Sequence, residues 1–259
     1  MLVVVLENHS ARQALAGMPR LAAAATTYGR AMEYFGVAHP SLPDYLAIAG
    51  GSTFDVRDDD DPSAHRLRGR SVFAQVLAAG RVATTYAEGM TSRCQITSRG
   101  RYAVRHNPWV YFAAERAACR AHDLPSGTPS AGALHDDVVG GTLPTFGLLV
   151  PDLCHDAHDC PLASADRWLG GWLEVVLAGP DFRSGRLAVV VTFDEDDRLA
   201  QNHVAAAVLH PSLAGVRVRD RLDHFSLARS VSGLAGRRGL RDSRTAPDLL
   251  TGAVRLRIS

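Results

Sequence analysis

The chain has 259 residues, 46% of them hydrophobic and 21% charged, and its 28 basic side chains are all arginine. Without lysine it cannot carry a Walker-type phosphate loop, a Schiff-base amine or a pyridoxal site, so those enzyme classes are excluded. The formal net charge is +1 with neutral histidines. No overall positive field therefore attracts nucleic acid or an anionic membrane, and we expect no nucleic-acid partner.

The length suits one domain over residues 1–259. Apolar runs such as 187–193 are far shorter than the roughly 20 residues that cross a bilayer, so we expect no transmembrane segment. Residues 1–6 lack the basic region and cleavage site of a signal peptide and predict a strand. We expect the chain as given to be cytoplasmic, with secretion after removal of a leader as the alternative. The oligomeric state stays open.

Apolar β-branched runs predict strands, and helical periodicity predicts helices between them. In chain order, the strands are expected at about 2–6, 81–86, 145–150, 186–193 and 204–209. The helices are expected at about 11–27, 43–50, 71–79, 165–178 and 224–234. Helices that alternate with fully apolar strands predict a mostly parallel sheet covered on both faces. The expected fold class is α/β, a three-layer α/β/α sandwich.

Two segments predict loops. The acidic run at 57–62 lacks the glycine and terminal glutamate of a calcium-binding helical-hand loop, so we interpret it as a solvated loop. Residues 121–142, rich in Pro, Gly, Ser and Asp, predict a polar surface excursion. The cysteines are Cys94, Cys119, Cys154 and Cys160. The last two permit a local disulfide, and disulfides or free thiols are favoured over zinc because paired zinc spacings are absent.

Polar side chains follow two of the predicted strands. Glu7 and Asn8 come directly after the first strand, and Asp194 and Glu195 follow the strand at 186–193. Solvated carboxylates and helix caps would explain either pair alone. Adjacent carboxylates at the end of a buried strand are costly unless a cation compensates them, and two such ends favour a site for one divalent metal ion.

Ser41 stands where a helix is expected to begin, with Pro43 just inside it. A serine cap followed by proline is common for structural reasons alone. The same geometry also has a chemical use. A hydroxyl bound to a divalent cation can lose its proton and attack phosphorus, while helix amides receive phosphoryl oxygens.

Six segments in order resemble the bacterial phosphoesterase family, which holds metal-dependent acid phosphatases and phospholipases C within the alkaline phosphatase superfamily. They are residues 7–9, 39–45, 86–88, 106–112, 151–160 and 192–195. Residues 224–227 also resemble the closing helix motif of the family. The resemblance covers most of the chain, and it implies an alkaline-phosphatase-like fold.

The resemblance also implies a site. The metal ligands would be Glu7, Asn8, Ser41, Asp194 and Glu195. Ser41 would be the nucleophile, and the other catalytic groups around the phosphoryl group would be His39, His158 and His203. The phosphate contacts would come from Asn8, Arg105 and Asn107. Calcium, magnesium, manganese and zinc all remain open as the metal.

The implied activity is metal-dependent hydrolysis of a small phosphomonoester through a phosphoserine on Ser41. The alternatives are a phosphodiesterase or phospholipase C with the same site, and a non-catalytic phosphate-binding relative. A sulfatase is disfavoured because its motif is absent. Asp44 and Asp152 stand where asparagine is common in the family, Phe193 where tryptophan is frequent, and Arg105 where lysine is common. Added carboxylates near phosphate need a cation or a proton.

Overall fold

A mixed sheet of eight strands runs through the part of the chain that this computed structural model describes, residues 1–256 and 258. The strands are β1 (Leu2–Leu6), β2 (Gly29–Phe35), β3 (Ala83–Ala87), β4 (Asp123–Pro125), β5 (Phe146–Val150), β6 (Val189–Phe193), β7 (Ala206–Leu209) and β8 (Val216–Asp223). Their order is β4-β3-β5-β1-β6-β7-β2-β8. Strand β7 is antiparallel to both neighbours, and the other pairs are parallel.

Helices connect the strands and cover the sheet. They are α1 (Ala11–Gly17), α2 (Pro19–Thr27), α3 (Ser41–Gly50), α4 (Val72–Ala78), α5 (Arg116–His122), α6 (Ala133–Gly140), α7 (Leu162–Ala178), α8 (Pro180–Arg183) and α9 (His224–Leu234). Helix α7 contacts α1, α2, α6 and α8, whereas α9 contacts α3 and α4. The two groups form the outer layers, so the expected three-layer α/β/α sandwich is confirmed.

The central strands hold the core. Every residue of β1, β5 and β6 is buried, which explains why these strands appear in the sequence as continuous apolar runs. The helix expected at 11–27 is divided into α1 and α2 at Met18, whose backbone is not helical. Pro19 follows directly, and a proline disfavours helical geometry in the residue before it.

The structure corrects two expectations about elements. Strands β2 and β8 were not predicted, because exposed or half-buried residues interrupt their apolar positions and β8 carries arginines. The segment 121–142 is not simply a surface excursion. It contains β4, which pairs with β3, and helix α6, and Asp123 within it is buried. None of the described helices is both long and apolar enough to span a membrane.

Candidate active site

The ends of β1 and β6 bring four polar residues together. Leu6 pairs with Phe193 in the parallel register of these strands, so the residues that follow them lie side by side. The amide of Asn8 donates a hydrogen bond to Oδ1 of Asp194 over 3.2 Å. The predicted convergence at the carboxyl edge of the sheet is therefore present, as expected for an open parallel sheet.

Helix α3 adds a hydroxyl to this edge. Ser41, its first residue, is buried and donates a hydrogen bond through Oγ to Oε2 of Glu7 at 3.0 Å. One turn later, the hydroxyl of Tyr45 donates to Oε1 of the same carboxylate at 2.5 Å. Both donors lie on the same face of α3, because residues four apart share a helix face, and both reach Glu7. Ser41 thus lies against the carboxylates.

Burial and mutual repulsion perturb the acids of the site. Burial raises the pKa of Glu7 well above its usual range, and the charges of Asp194 and Asp156 raise it further. Burial also raises the pKa of Asp194 to about 6 and that of Asp156 to about 8. The pKa of Glu195 is raised to about 9 by burial and then by Asp194. Such crowded carboxylates favour a bound cation or protons.

Several buried oxygens of the site match a cation. Oδ1 of Asn8, Oδ2 of Asp194 and Oδ2 of Asp156 are buried and have no hydrogen-bond partner among the described residues. Unpaired buried polar atoms are costly, and amide and carboxylate oxygens suit hard or borderline divalent ions. The residues present therefore fit one divalent metal ion.

His106 and Asp156 extend the predicted set. His106 is buried, with Nε2 3.4 Å from Oε2 of Glu7 and Nδ1 3.3 Å from Oδ2 of Asp156. Its ring stacks on Tyr45 at 5.0 Å, and burial lowers its pKa well below the usual value. Ligand atoms of Glu7, His106 and Asp156 lie close enough to share one ion. The sequence analysis included His106 only within the segment 106–112 of the family resemblance, and the only signal for Asp156 was its position in the loop between Cys154 and Cys160.

That loop is closed by the Cys154–Cys160 disulfide, and a second disulfide joins Cys94 to Cys119. The carbonyl of Asp156 accepts a hydrogen bond from the amide of Glu7 at 2.8 Å, so the short loop is attached directly to the end of β1.

Two of the three predicted catalytic histidines lie at the site. Nδ1 of His39 faces Oε2 of Glu195, and its Nε2 is 3.4 Å from Oδ1 of Asp196. His158, in the disulfide loop, has Nδ1 2.7 Å from Asp159 and Nε2 3.3 Å from Nη2 of Arg105. Their rings remain partly exposed, at 20% for His39 and 32% for His158.

The contacts of the third, His203, lie elsewhere. Its Nε2 is 2.9 Å from the carbonyl oxygen of Met32, and its ring packs at 5.1 Å from Phe35. A bridge between Phe35 and His203 ties it to the end of β2, a strand that the sequence did not predict. This arrangement does not support a role for His203 at the phosphoryl group.

The side-chain amide of Asn107 contacts a carboxylate outside the predicted metal site. Its fully buried Nδ2 donates to both carboxylate oxygens of Asp123, at 3.0 and 2.9 Å, and lies 3.1 Å from the hydroxyl of Tyr102. Burial raises the pKa of Asp123 to about 7, and the Asn107 hydrogen bonds oppose this rise. Asn107 therefore supports a buried network, and only Arg105 of the pair lies beside a catalytic candidate.

Asp44 and Asp152, which stand where asparagine is common in the family, both accept backbone hydrogen bonds. Asp44 Oδ1 accepts from the amides of Val37 and Ala38, at 2.6 and 3.2 Å, and burial raises its pKa well above the usual range. Nε2 of His224 lies 2.5 Å from the carbonyl of Asp194 and 3.4 Å from Oδ1 of Asp44. Because a carbonyl can only accept, the proton of His224 is on Nε2.

Asp152, the second such aspartate, accepts from the amides of Cys154 and His155 at 2.9 and 3.0 Å. It shapes the disulfide loop through local contacts of the kind that aspartate and asparagine both make in turns.

The chain is similar in sequence to known proteins. Residues 4–224 match the Phosphoesterase family. A phosphatidylinositol-3-phosphatase of Mycobacterium tuberculosis is 24% identical over 245 residues, which are 90% of this chain and 76% of the relative. A phosphate-repressible acid phosphatase of Penicillium chrysogenum is 27% identical over 212 residues, and the aligned part is 77% of this chain but only 50% of that relative.

The fold also has a solved counterpart. A Vibrio parahaemolyticus protein in the alkaline phosphatase superfamily superposes with a TM-score of 0.63 at 14% identity, over 96% of this chain and 69% of that one. The family match includes the ends of β1 and β6, the start of α3 and the disulfide loop. This chain therefore belongs to the Phosphoesterase family, and with it to the phosphoric ester hydrolases.

Proposed function

We propose that the chain is a metal-dependent phosphatase that hydrolyses a small phosphomonoester through a phosphoserine intermediate on Ser41. One observation carries the proposal: the Ser41 hydroxyl, at the start of α3, lies 3.0 Å from a buried carboxylate whose neighbours fit a divalent ion. The two curated relatives above are named as phosphatases, which supports a monoester.

The ligands of the ion would be Glu7, Asn8, Ser41, Asp194 and Glu195. When bound, a divalent ion neutralises these carboxylates, favours the alkoxide form of a coordinated hydroxyl and polarises phosphoryl oxygens. A single cation at this edge would also account for the unpaired oxygens of Asn8 and Asp194.

The chain's own groups then divide the reaction into two displacements. The Ser41 oxygen bonds to phosphorus as the bond from phosphorus to the leaving oxygen breaks, and its proton departs on the side of Glu7, where the hydroxyl already points. His39 or His158 donates a proton to the departing alkoxide, since both rings are partly exposed beside the site. Water then attacks the phosphoserine and returns the hydroxyl with release of phosphate.

The test uses p-nitrophenyl phosphate and bis(p-nitrophenyl) phosphate with the full chain and each candidate divalent ion in turn. We expect turnover of the monoester to dominate, a tightly held divalent ion in elemental analysis, and loss of at least about 1,000-fold in kcat for Ser41→Ala. Ser63→Ala, at an exposed serine, is the matched control and should keep wild-type kinetics.

Dominant diester turnover would favour the phosphodiesterase or phospholipase C alternative, which uses the same groups. A folded wild-type chain that binds inorganic phosphate without hydrolysing either ester would favour the non-catalytic alternative. Full activity in Ser41→Ala would refute the nucleophile.

We also propose that the chain works in an oxidising compartment, the secreted alternative. The two disulfides support this, because such bonds persist outside the reducing cytoplasm. Protein taken from its native source and denatured without reductant should contain no free thiol, and four titratable thiols would contradict the proposal.

A further inference from the structure

The acidic run at 57–62, interpreted from sequence as a solvated loop, contacts the helix that carries the nucleophile. Oδ1 of Asp59 accepts a hydrogen bond from the amide of Leu42 at 2.9 Å, and Oδ2 lies 3.6 Å from Nε of Arg105. The Asp59 side chain is 34% exposed, so it lies at the rim of the site. One carboxylate of the run is therefore part of the site's surroundings.

No N-cap side chain accepts a hydrogen bond from the first turn of α3. Pro40, at the N-cap, has no side-chain oxygen, and Pro43 has no amide hydrogen. The hydroxyl of Ser41 points to Glu7 and is not used for capping. Asp59 supplies the missing acceptor from a distant part of the chain, and this leaves the Ser41 hydroxyl available for chemistry.

The same carboxylate faces Arg105. Nε of Arg105 is buried and has no hydrogen-bond partner among the described residues, and its nearest carboxylate is that of Asp59. The other end of the guanidinium lies 3.3 Å from Nε2 of His158. Asp59 thus links the start of α3 to a guanidinium beside a catalytic candidate.

We propose that Asp59 is a positioning residue of the active site, which caps the helix of Ser41 and holds Arg105 ready for a phosphoryl oxygen. The proposal rests on the phosphatase function above. Asp59 acts through Leu42 and Arg105 and does not itself touch the reacting atoms. An arginine that is already oriented loses less freedom when it binds phosphate.

Three variants separate the two contacts. Asp59→Asn keeps an oxygen for the Leu42 amide but removes the charge that faces Arg105, so we expect KM for p-nitrophenyl phosphate to rise about two- to fivefold with kcat nearly unchanged. Asp59→Ala removes both contacts and should also lower kcat about tenfold, because the nucleophile is then less well placed. Asp60→Asn, at an exposed neighbour of equal charge, should change neither constant.

Arg105→Gln supplies the coupling test. If Asp59 acts on KM through Arg105, Asp59→Asn should have no further effect on KM in the Arg105→Gln background. Equal KM changes in Asp59→Asn and Asp60→Asn would overturn the proposal, because only the general charge would matter. An Asp59→Ala chain with a lower Tm but wild-type kcat and KM per folded molecule would also overturn it.

Calorimetry with inorganic phosphate separates this inference from the proposed function. If the wild-type chain binds phosphate without turnover and Asp59→Asn weakens that binding two- to fivefold, the phosphatase function fails and only the role of Asp59 in orienting Arg105 stands. If the wild-type chain hydrolyses the ester but Asp59→Asn binds phosphate as tightly as wild type, the positioning role fails alone. Absence of both turnover and phosphate binding overturns both.

Discussion

Asn107 is where sequence and structure assign different roles, and its replacement by leucine tests them directly. The resemblance implies a phosphate contact, whereas the structure shows Nδ2 between the carboxylate of Asp123 and the hydroxyl of Tyr102. Leucine fills a similar volume but has no donor. We expect Asn107→Leu to destabilise the fold and to leave the KM of the folded enzyme unchanged.

The magnitude follows from the charge of Asp123. A hydrogen bond to a buried charged group contributes roughly 1.5–3 kcal/mol, and one to a neutral group roughly 0.5–1.5 kcal/mol. The pKa of Asp123 is about 7, raised by burial and opposed by Asn107. The loss should therefore be about 2 kcal/mol at pH 8, where the wild-type carboxylate is mostly charged, and about 1 kcal/mol at pH 5, where it is protonated.

The sign agrees with proton linkage. Removal of the donor raises the folded pKa of Asp123 further, so above pH 7 the folded variant keeps a proton that folded wild type has released. The stability of the variant therefore continues to fall as pH rises, and its difference from wild type grows. Urea unfolding of wild type and variant at pH 5 and pH 8 measures this. In an Asp123→Asn background the pH dependence of the Asn107→Leu effect should disappear. Unchanged stability with a raised KM would refute the structural role and restore the phosphate contact.

The remaining predictions concern the site itself. After chelation, the free energy of unfolding should fall as pH rises from about 4 to 6, because folded Asp194, with a pKa of about 6, keeps a proton that the unfolded chain releases; a calorimetric pH series tests this, and a flat profile contradicts it. Arg105→Lys should raise KM severalfold if guanidinium geometry matters, and unchanged kinetics would make Arg105 structural. His203→Ala should keep kcat within about twofold, and a 100-fold loss would restore its catalytic role. Reduction of Cys154–Cys160 by a dithiol should lower kcat, whereas full activity with two additional titratable thiols would show that the loop holds without the bond.

The strongest sequence signals for the fold came from its most buried strands. Strands β1, β5 and β6 are apolar on both faces because helices cover both sides of the sheet, so their runs are continuous. Strands β2 and β8 pair with each other near the sheet edge and carry exposed polar residues. Their apolar alternation is broken, and the register shift between Ala31 and Glu33 weakens it further.

The two strand ends and the helix start could be predicted as a site because they occur together: either polar pair alone has an ordinary structural explanation, but two such pairs at the ends of buried strands favour a cation. The contacts that the sequence could not give are long-range. Asp156 reaches His106 and Glu7 across the fold, and Asp59 reaches Leu42 from a loop 17 residues away. Local spacing carries no information on such contacts.

The segment 105–107 shows why a motif cannot assign the roles of its members. Its first two residues belong to a short 3₁₀ turn, Val104–His106, in which successive side chains point about 120° apart, and Asn107 follows the turn with a non-helical backbone. Arg105 accordingly faces Asp59 and His158, His106 lies between Glu7 and Asp156, and Asn107 is directed into the Asp123 network. Of these three adjacent polar residues, Arg105 lies at the rim of the pocket, His106 lies beside a carboxylate of the metal site and Asn107 supports a buried network. A separate variant is therefore needed to assign the role of each.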